Sequence, residues 1–242
     1  MDTILCRLCR AECSPIGAHI IARSLLRLLA PKGEYDGKLI LVGKEFDKPI
    51  NKQGGSKDDA ILCGSCDTVL GIYDAYIANF LKSGKLLPHK SGGAWLLGDA
   101  NINKLKLFTL SYLWRCSITN LDEFKGVDLG PSHEEAIRKI LFSGKIKDSV
   151  GYNLIMTKFE AGNLPDAVNM QMLIPAKQRH HSIMFYEIHL PMLYKLYLKV
   201  DKQKLPYLYE AVTLEEGRQN VVLARGDFIN SKDFKILFDA VH

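Results

Sequence analysis

Cys6-Arg7-Leu8-Cys9 and, much later, Leu62-Cys63-Gly64-Ser65-Cys66 are the two stretches that decide the fold. Each Cys-x-x-Cys sets two sulfurs on one tight turn, so a single ion can bridge them. Four soft thiolates are the number that a closed tetrahedral structural zinc site takes. The small pair Gly64-Ser65 lets the second turn fold close to the metal, and the two turns together lock distant segments of chain. The gap between the pairs exceeds the roughly 15–20 residues of a zinc ribbon. Part of it is a Gly- and Lys-rich insert, Lys48 to Asp59, which reads as a flexible loop. A redox pair needs only one Cys-x-x-Cys, so two copies favour metal. Cys13 and Cys116 are left over and read as buried free thiols that behave as small hydrophobes.

Around this centre the chain has the make-up of an ordinary folded protein. Its 242 residues, 47% hydrophobic and 24% charged, suffice for a sizeable core without disulfide staples. A net charge of +5 and a pI near 8.8 permit an anionic partner without demanding one. Met1 to Cys6 leaves no room for a secretory signal, and Arg27, Lys106, Arg115 and Lys195 interrupt the most hydrophobic segments. A soluble cytoplasmic protein without a membrane partner is therefore expected, its cysteines reduced or bound to metal.

The pattern predicts an α+β protein: a zinc module over residues 1–80, then an α+β domain over 81–242 in which helices precede an antiparallel sheet. Within the module, Ser14 to Leu29 turns helical, with apolar residues at Ile21, Leu25, Leu28 and Leu29 and a stop before Pro31. Leu39 to Val42 suits a strand, and Thr68 to Leu81 has helical spacing. Asn103 to Asn120 reads as a mostly buried helix in which Arg115 is the exception. Ser132 with Glu135 forms a capping box for a helix that stops at Gly144. Asn153 to Phe159, Met170 to Pro175, Ser182 to Leu190 and Leu193 to Val200 are β-rich and predict about four antiparallel strands, the last two joined at Pro191. Ser231 caps a final helix from Lys232 onward.

Between the two cysteine pairs lies Ala18-His19-Ile20-Ile21, running into a helix, and a second helix follows Cys66. This order resembles the zinc-bound HNH endonucleases, whose fold is the treble clef, or ββα-metal. The resemblance covers residues 5 to about 80 and implies that His19 is the general base acting on the attacking water. In that family the residue before the base is usually an acidic ligand of the catalytic ion, and here it is Ala18. After the second Cys-x-x-Cys the family usually has a metal-binding His. Here it is Asp67, whose carboxylate can still hold Mg²⁺ or Mn²⁺. The chain is also similar to a group of bacterial and phage proteins with a later Leu-Trp-Arg-x-Ser segment, here Leu113-Trp114-Arg115-Cys116-Ser117.

The resemblance thus implies a metal-dependent nuclease acting on DNA, with RNA as a second nucleic-acid partner. Its site would comprise structural zinc on Cys6, Cys9, Cys63 and Cys66, catalytic Mg²⁺ or Mn²⁺, His19 as base and Asp67 as ion ligand. Arg23 and Arg27 form a basic stripe for phosphates, with Arg23 one helical turn after His19. The alternative is a zinc scaffold without catalysis that binds nucleic acid or a protein partner, which Ala18 favours. His180-His181 reads as a basic polar turn, and Gly54-Gly55 and Gly92-Gly93 as loops, since neither has a P-loop context.

Overall fold

The structure is a computed structural model, and it describes residues 3–29, 38–41, 50–84, 86–89, 93–146, 151–160, 173–180 and 182–227. It is a mixed α+β protein with a large sheet and five α-helices among the described residues. The helix expected after Ser231 lies outside them.

At the N-terminus β1 (Ile4–Leu5) and β2 (Glu12–Cys13) pair antiparallel, with Ile4 opposite Cys13. The first cysteine pair sits in the turn between them. Arg10 adopts φ +66° there, and the amides of Cys6 and Arg10 close the turn onto Ala11 O and Cys6 O at 2.9 Å each. Next, β3 (Ala18–His19) pairs antiparallel with β6 (Lys57–Asp58), setting Ala18 opposite Asp58 and His19 opposite Lys57. The interval between β3 and β6 includes β4 (Lys38–Leu41) and β5 (Ile50–Gln53), themselves antiparallel.

The helix expected across Ser14 to Leu29 is only one turn long, α1 (Arg23–Leu26). Residues 18 and 19 are drawn into the ladder with β6, and Ala22 keeps an extended ψ of 131°. The apolar positions Ile21, Leu25 and Leu28 are buried as predicted, but from a strand exit and a short turn. Such spacing does not by itself separate the two.

The second cysteine pair is wound into α2 (Gly64–Ser83), which starts four residues before the predicted Thr68 and ends at Gly84 with φ +57°. Its buried stripe is Cys66, Leu70, Tyr73, Asp74, Ile77, Ala78, Phe80 and Leu81. After β7 (Leu86–Pro88) and β8 (Ala94–Leu97), the Asn101 side chain caps α3 (Ile102–Ile118) by accepting from Lys104 N at 2.8 Å. This helix is buried nearly all round, as a central core helix must be. A 3-10 turn at Asp122–Phe124 follows.

The start of α4 (Pro131–Ser143) corrects the predicted capping box. Gly130, with φ +75°, precedes Pro131 in the first turn, and no side chain caps the helix. Pro at the first helical position has no N–H to satisfy, so Ser132 is left inside the helix. Glu135 turns to Arg138 (2.7 and 2.8 Å) and Arg10 (3.2 Å), and the Arg138 guanidinium, with Arg10 behind it, holds its carboxyl down to about 2. Gly144 ends the helix as expected.

The remaining strands are β9 (Asn153–Glu160), β10 (Leu173–His180), β11 (Ile183–Leu190), β12 (Tyr194–Lys199) and β13 (Asn220–Asp227), with α5 (Tyr207–Ala211) before the last. Three of the four predicted β-rich runs match β9, β11 and β12, whereas the second is displaced, with β10 over Leu173–His180 and residues 170–172 outside the described residues. The four strands are antiparallel neighbours, and among the described residues the sheet has seven strands in the order β10-β11-β12-β9-β13-β8-β7. Moreover β13 runs parallel to β9, so the sheet is mixed rather than antiparallel throughout. The β11–β12 turn carries Met192 and Leu193 at positive φ, which suits the twist of a tight hairpin.

Alternation along the strands feeds two cores. Leu154, Met156, Tyr186, Ile188, Leu190, Tyr194, Leu196 and Leu198 join the main cluster with α2, α3 and α4. Ile155, Ile183, Phe185, Tyr197 and Leu205 form a second cluster on which Tyr209 and Val212 pack. Among the described residues no helix is long and apolar enough to cross a membrane.

Candidate metal centre and the adjoining histidine

The knuckle between β1 and β2 and the first turn of α2 bring the four cysteine sulfurs within 4.8 Å of one another. A tetrahedron with metal–sulfur bonds of about 2.3 Å has sulfurs about 3.8 Å apart. Cys9 Sγ and Cys63 Sγ stand 3.9 Å apart, which is too far for a disulfide and right for two ligands of one ion. The backbone also prepares the sulfurs. Cys63 N donates to Cys6 Sγ at 3.4 Å. Burial alone would raise the Cys6 thiol, but amides aimed at its sulfur from Cys9, Cys63 and Leu8 bring it down to about 7. Burial and neighbouring sulfurs push Cys66 the other way. As thiolates, four sulfurs this close would need a cation among them, and this group can hold a metal ion such as zinc.

The knuckle is fixed from outside. Arg138 of α4 donates to Leu8 O at 2.7 Å, and Arg7 N donates to Ile61 O at 2.8 Å, two residues before Cys63. Cys13 is half-buried with its thiol against Ile4 O at 3.7 Å, and Cys116 is fully buried, so both remain free thiols outside the cluster.

Asp67 adjoins this centre in sequence, and His19 comes from a different element. His19 leaves β3, not a helix, while Asp67 follows Cys66 in the first turn of α2. Both are half-buried, and each lies within reach of the other's charge. His19 Nε2 is 3.1 Å from Gly54 O, and a carbonyl only accepts, so Nε2 carries the proton and Nδ1 is left as an acceptor. Burial, with the positive charges of Lys57 and Arg23, lowers the imidazole below its ordinary 6.5 and keeps it neutral near pH 7. Burial raises the Asp67 carboxyl, an effect that the Arg115 guanidinium opposes.

Arg23 and Arg27 are exposed and sit one turn apart, Arg27 N donating to Arg23 O at 3.1 Å. They share the stripe predicted for them, although His19 does not belong to their helix.

Ala18 is fully buried, so its position offers nothing to an ion. Asp58, across the ladder, accepts from Ala60 N (2.8 Å) and Thr119 Oγ1 (2.5 Å) and is committed to the fold. Asp74 is likewise engaged: Arg115, 1% exposed, donates to its two oxygens at 2.7 and 3.0 Å. The same guanidinium donates to His19 O at 2.9 Å, so it ties β3 to α2 from within α3. Among the described residues, the only group of three or more His, Cys, Asp or Glu side chains close enough to share an ion is the cysteine four.

The Leu113–Ser117 segment is accounted for by packing. Trp114 Nε1 donates to Glu134 O at 3.1 Å and Ser117 Oγ to Glu134 Oε1 at 2.7 Å, joining α3 to α4. Its Arg115 is the functional neighbour that the sequence marks only as an oddity in an apolar helix. The Gly54 carbonyl and Lys57 are two more, and neither carries a motif. His180 ends β10 and its ring pairs with Glu187 across the sheet, while His181 lies outside the described residues. No protein-family model, curated protein or solved structure matches this chain.

Proposed function

We propose that residues 1–80 form a treble-clef module of the HNH type around a structural zinc, and that the chain is a metal-dependent endonuclease acting on DNA. The supporting topology is a knuckle hairpin, a second two-stranded ladder bearing His19, and a helix that opens with the second cysteine pair. One observation supports the catalytic part: His19, held through Nε2 by Gly54 O so that Nδ1 is the acceptor, lies within reach of the charge of Asp67, the residue that follows Cys66.

In this reading His19 Nδ1 takes a proton from water, and the resulting hydroxide attacks the phosphorus. The P–O3′ bond breaks, its electron pair leaves on the 3′-oxygen, and that oxygen takes a proton from solvent. Asp67 is the residue that would hold Mg²⁺ or Mn²⁺, which when bound supplies positive charge at the leaving oxygen. One carboxylate fits such an ion, because Mg²⁺ keeps several waters and is completed by substrate phosphate oxygens. Arg23 and Arg27 meet phosphates outside the reacting one.

The second reading, a zinc scaffold that binds nucleic acid or a protein partner without cutting, is favoured by one observation. Ala18 is buried where the resemblance implies an acidic ligand.

Incubating the zinc-loaded protein with labelled DNA in Mg²⁺ or Mn²⁺ separates the two. Cleavage is expected, with His19→Ala slowing it by roughly 10²- to 10⁴-fold at unchanged zinc content and melting temperature. No cleavage of DNA or RNA by the wild type with any divalent ion would leave the scaffold reading.

A further inference from the structure

His19 and Lys57 are direct partners in the β3–β6 ladder, so their side chains leave the same face with Cβ atoms roughly 5 Å apart. Lys57 is exposed, and its chain lies along the surface of the neighbouring turns. Its Nζ and Cε lie 3.1 and 3.3 Å from where a Cβ would stand on Gly54, and Gly54 supplies the carbonyl that fixes His19 Nε2. Its stem also packs beside Gly17, with Cδ 3.4 Å from a Cβ placed there. The ammonium is thus laid alongside the imidazole, on the turn that orients it.

No carboxylate pairs with this ammonium among the described residues. The nearest acid in the ladder, Asp58, is spent on Ala60 N and Thr119 Oγ1. Arg23, also without an ion pair among the described residues, adds a second positive charge that reaches His19. A cation laid on the Gly54 turn, with no ion pair among the described residues, leaves a demand for an anion beside the His19 imidazole. A phosphate diester oxygen meets that demand, since a lysine ammonium binds phosphate as a compact point charge.

We propose that Lys57 holds the reacting phosphate: its ammonium donates to a non-bridging oxygen of a DNA phosphodiester set beside His19, with Arg23 on the adjoining phosphate. The proposal rests on the nuclease reading for the word reacting. The seat itself needs only DNA binding at this place.

The competing role for Lys57 is to seal the Gly17 and Gly54 turns with its stem. Lys57→Met keeps that stem and removes the charge, while Lys57→Arg keeps the charge. Each zinc-loaded protein is titrated with a labelled DNA duplex by fluorescence anisotropy at several salt concentrations, without added Mg²⁺ or Mn²⁺. Lys57→Met should lose affinity about tenfold or more and reduce the salt slope by about one, and Lys57→Arg should stay near wild type. Wild-type affinity and slope in Lys57→Met, or a wild type that binds no duplex, overturns the proposal. Binding that depends on Lys57 without cleavage on adding the ions would remove the nuclease reading and leave the seat. Cleavage by the wild type and Lys57→Met alike would do the reverse.

Discussion

Replacing Arg115 with methionine keeps most of the side-chain volume and removes one buried charge. Arg115 is 1% exposed, and the Asp74 side chain paired with it is 10% exposed, so little water reaches either group. The guanidinium makes two bonds to the Asp74 carboxylate and one to His19 O, with a longer one from Nε to Ser111 O at 3.4 Å. Breaking a buried pair by removing one partner costs about 3–5 kcal/mol, because the other charge is left uncompensated. For a chain of this length that is a fall in melting temperature of about 6–20 °C. A second substitution, Asp74→Leu, removes the stranded carboxylate and should recover most of the loss, since an apolar pair often matches a buried ion pair. Recovery should stop short of wild type by about 1–3 kcal/mol, the cost of leaving His19 O without its donor. Circular dichroism melts in zinc-containing buffer read all three proteins. An Arg115→Met variant within about 1 kcal/mol of wild type would refute the clamp between β3, α2 and α3.

Cys63→Ser should lose the ion and melt well below wild type, because binding energy at a structural thiolate site is folding energy; elemental analysis and a melt decide it. Gly55→Ala should destabilise the turn by about 2–4 kcal/mol, since Gly55 has φ +81° and a new Cβ would lie 2.4 Å from Leu26 Cδ1; a urea titration at constant m-value checks this. The ring protons of His19 should titrate below 6.5 by NMR, and cleavage should rise with pH through that midpoint and level off near neutrality. Because the folded midpoint lies below the unfolded one, this group's share of stability is present above pH 6.5 and is lost as the pH falls through the folded midpoint. A midpoint above 6.5 would contradict the burial and the two cations assigned to it.

The sequence reads most truly where local pattern and tertiary role agree. The apolar run of α3, the Gly144 stop of α4 and the β11–β12 hairpin follow from periodicity and turn residues within a few positions of one another. The cysteine pairs are readable for a different reason, since their chemistry demands a common ion however far apart they lie. What escapes is set by partners distant in sequence. The apolar spacing before Leu29 suits a helix, yet Ala18 and His19 are captured by Lys57 and Asp58 across a long interval. The short strands β7 and β8 and the parallel strand β13 gain their hydrogen bonds only from one another and from β9, so no local signal announces them. Ser132 and Glu135 match a capping box, but Gly130-Pro131 has already started the helix. Arg115 stands out in its helix from sequence alone, whereas its partner Asp74 is one acid among many until α2 and α3 are packed.

The proposed nuclease places a structural zinc and, beside it, a catalytic ion at Asp67 within reach of His19 in one module. Crystals of the zinc-loaded protein soaked in Mn²⁺, measured at the zinc and manganese absorption edges, test it most directly. A zinc peak is expected about 2.3 Å from Cys6, Cys9, Cys63 and Cys66 Sγ, with a separate manganese peak on the Asp67 carboxylate facing His19. A zinc peak alone, with no manganese at Asp67 when a DNA duplex is also bound, would contradict the catalytic half and place the protein among binding scaffolds.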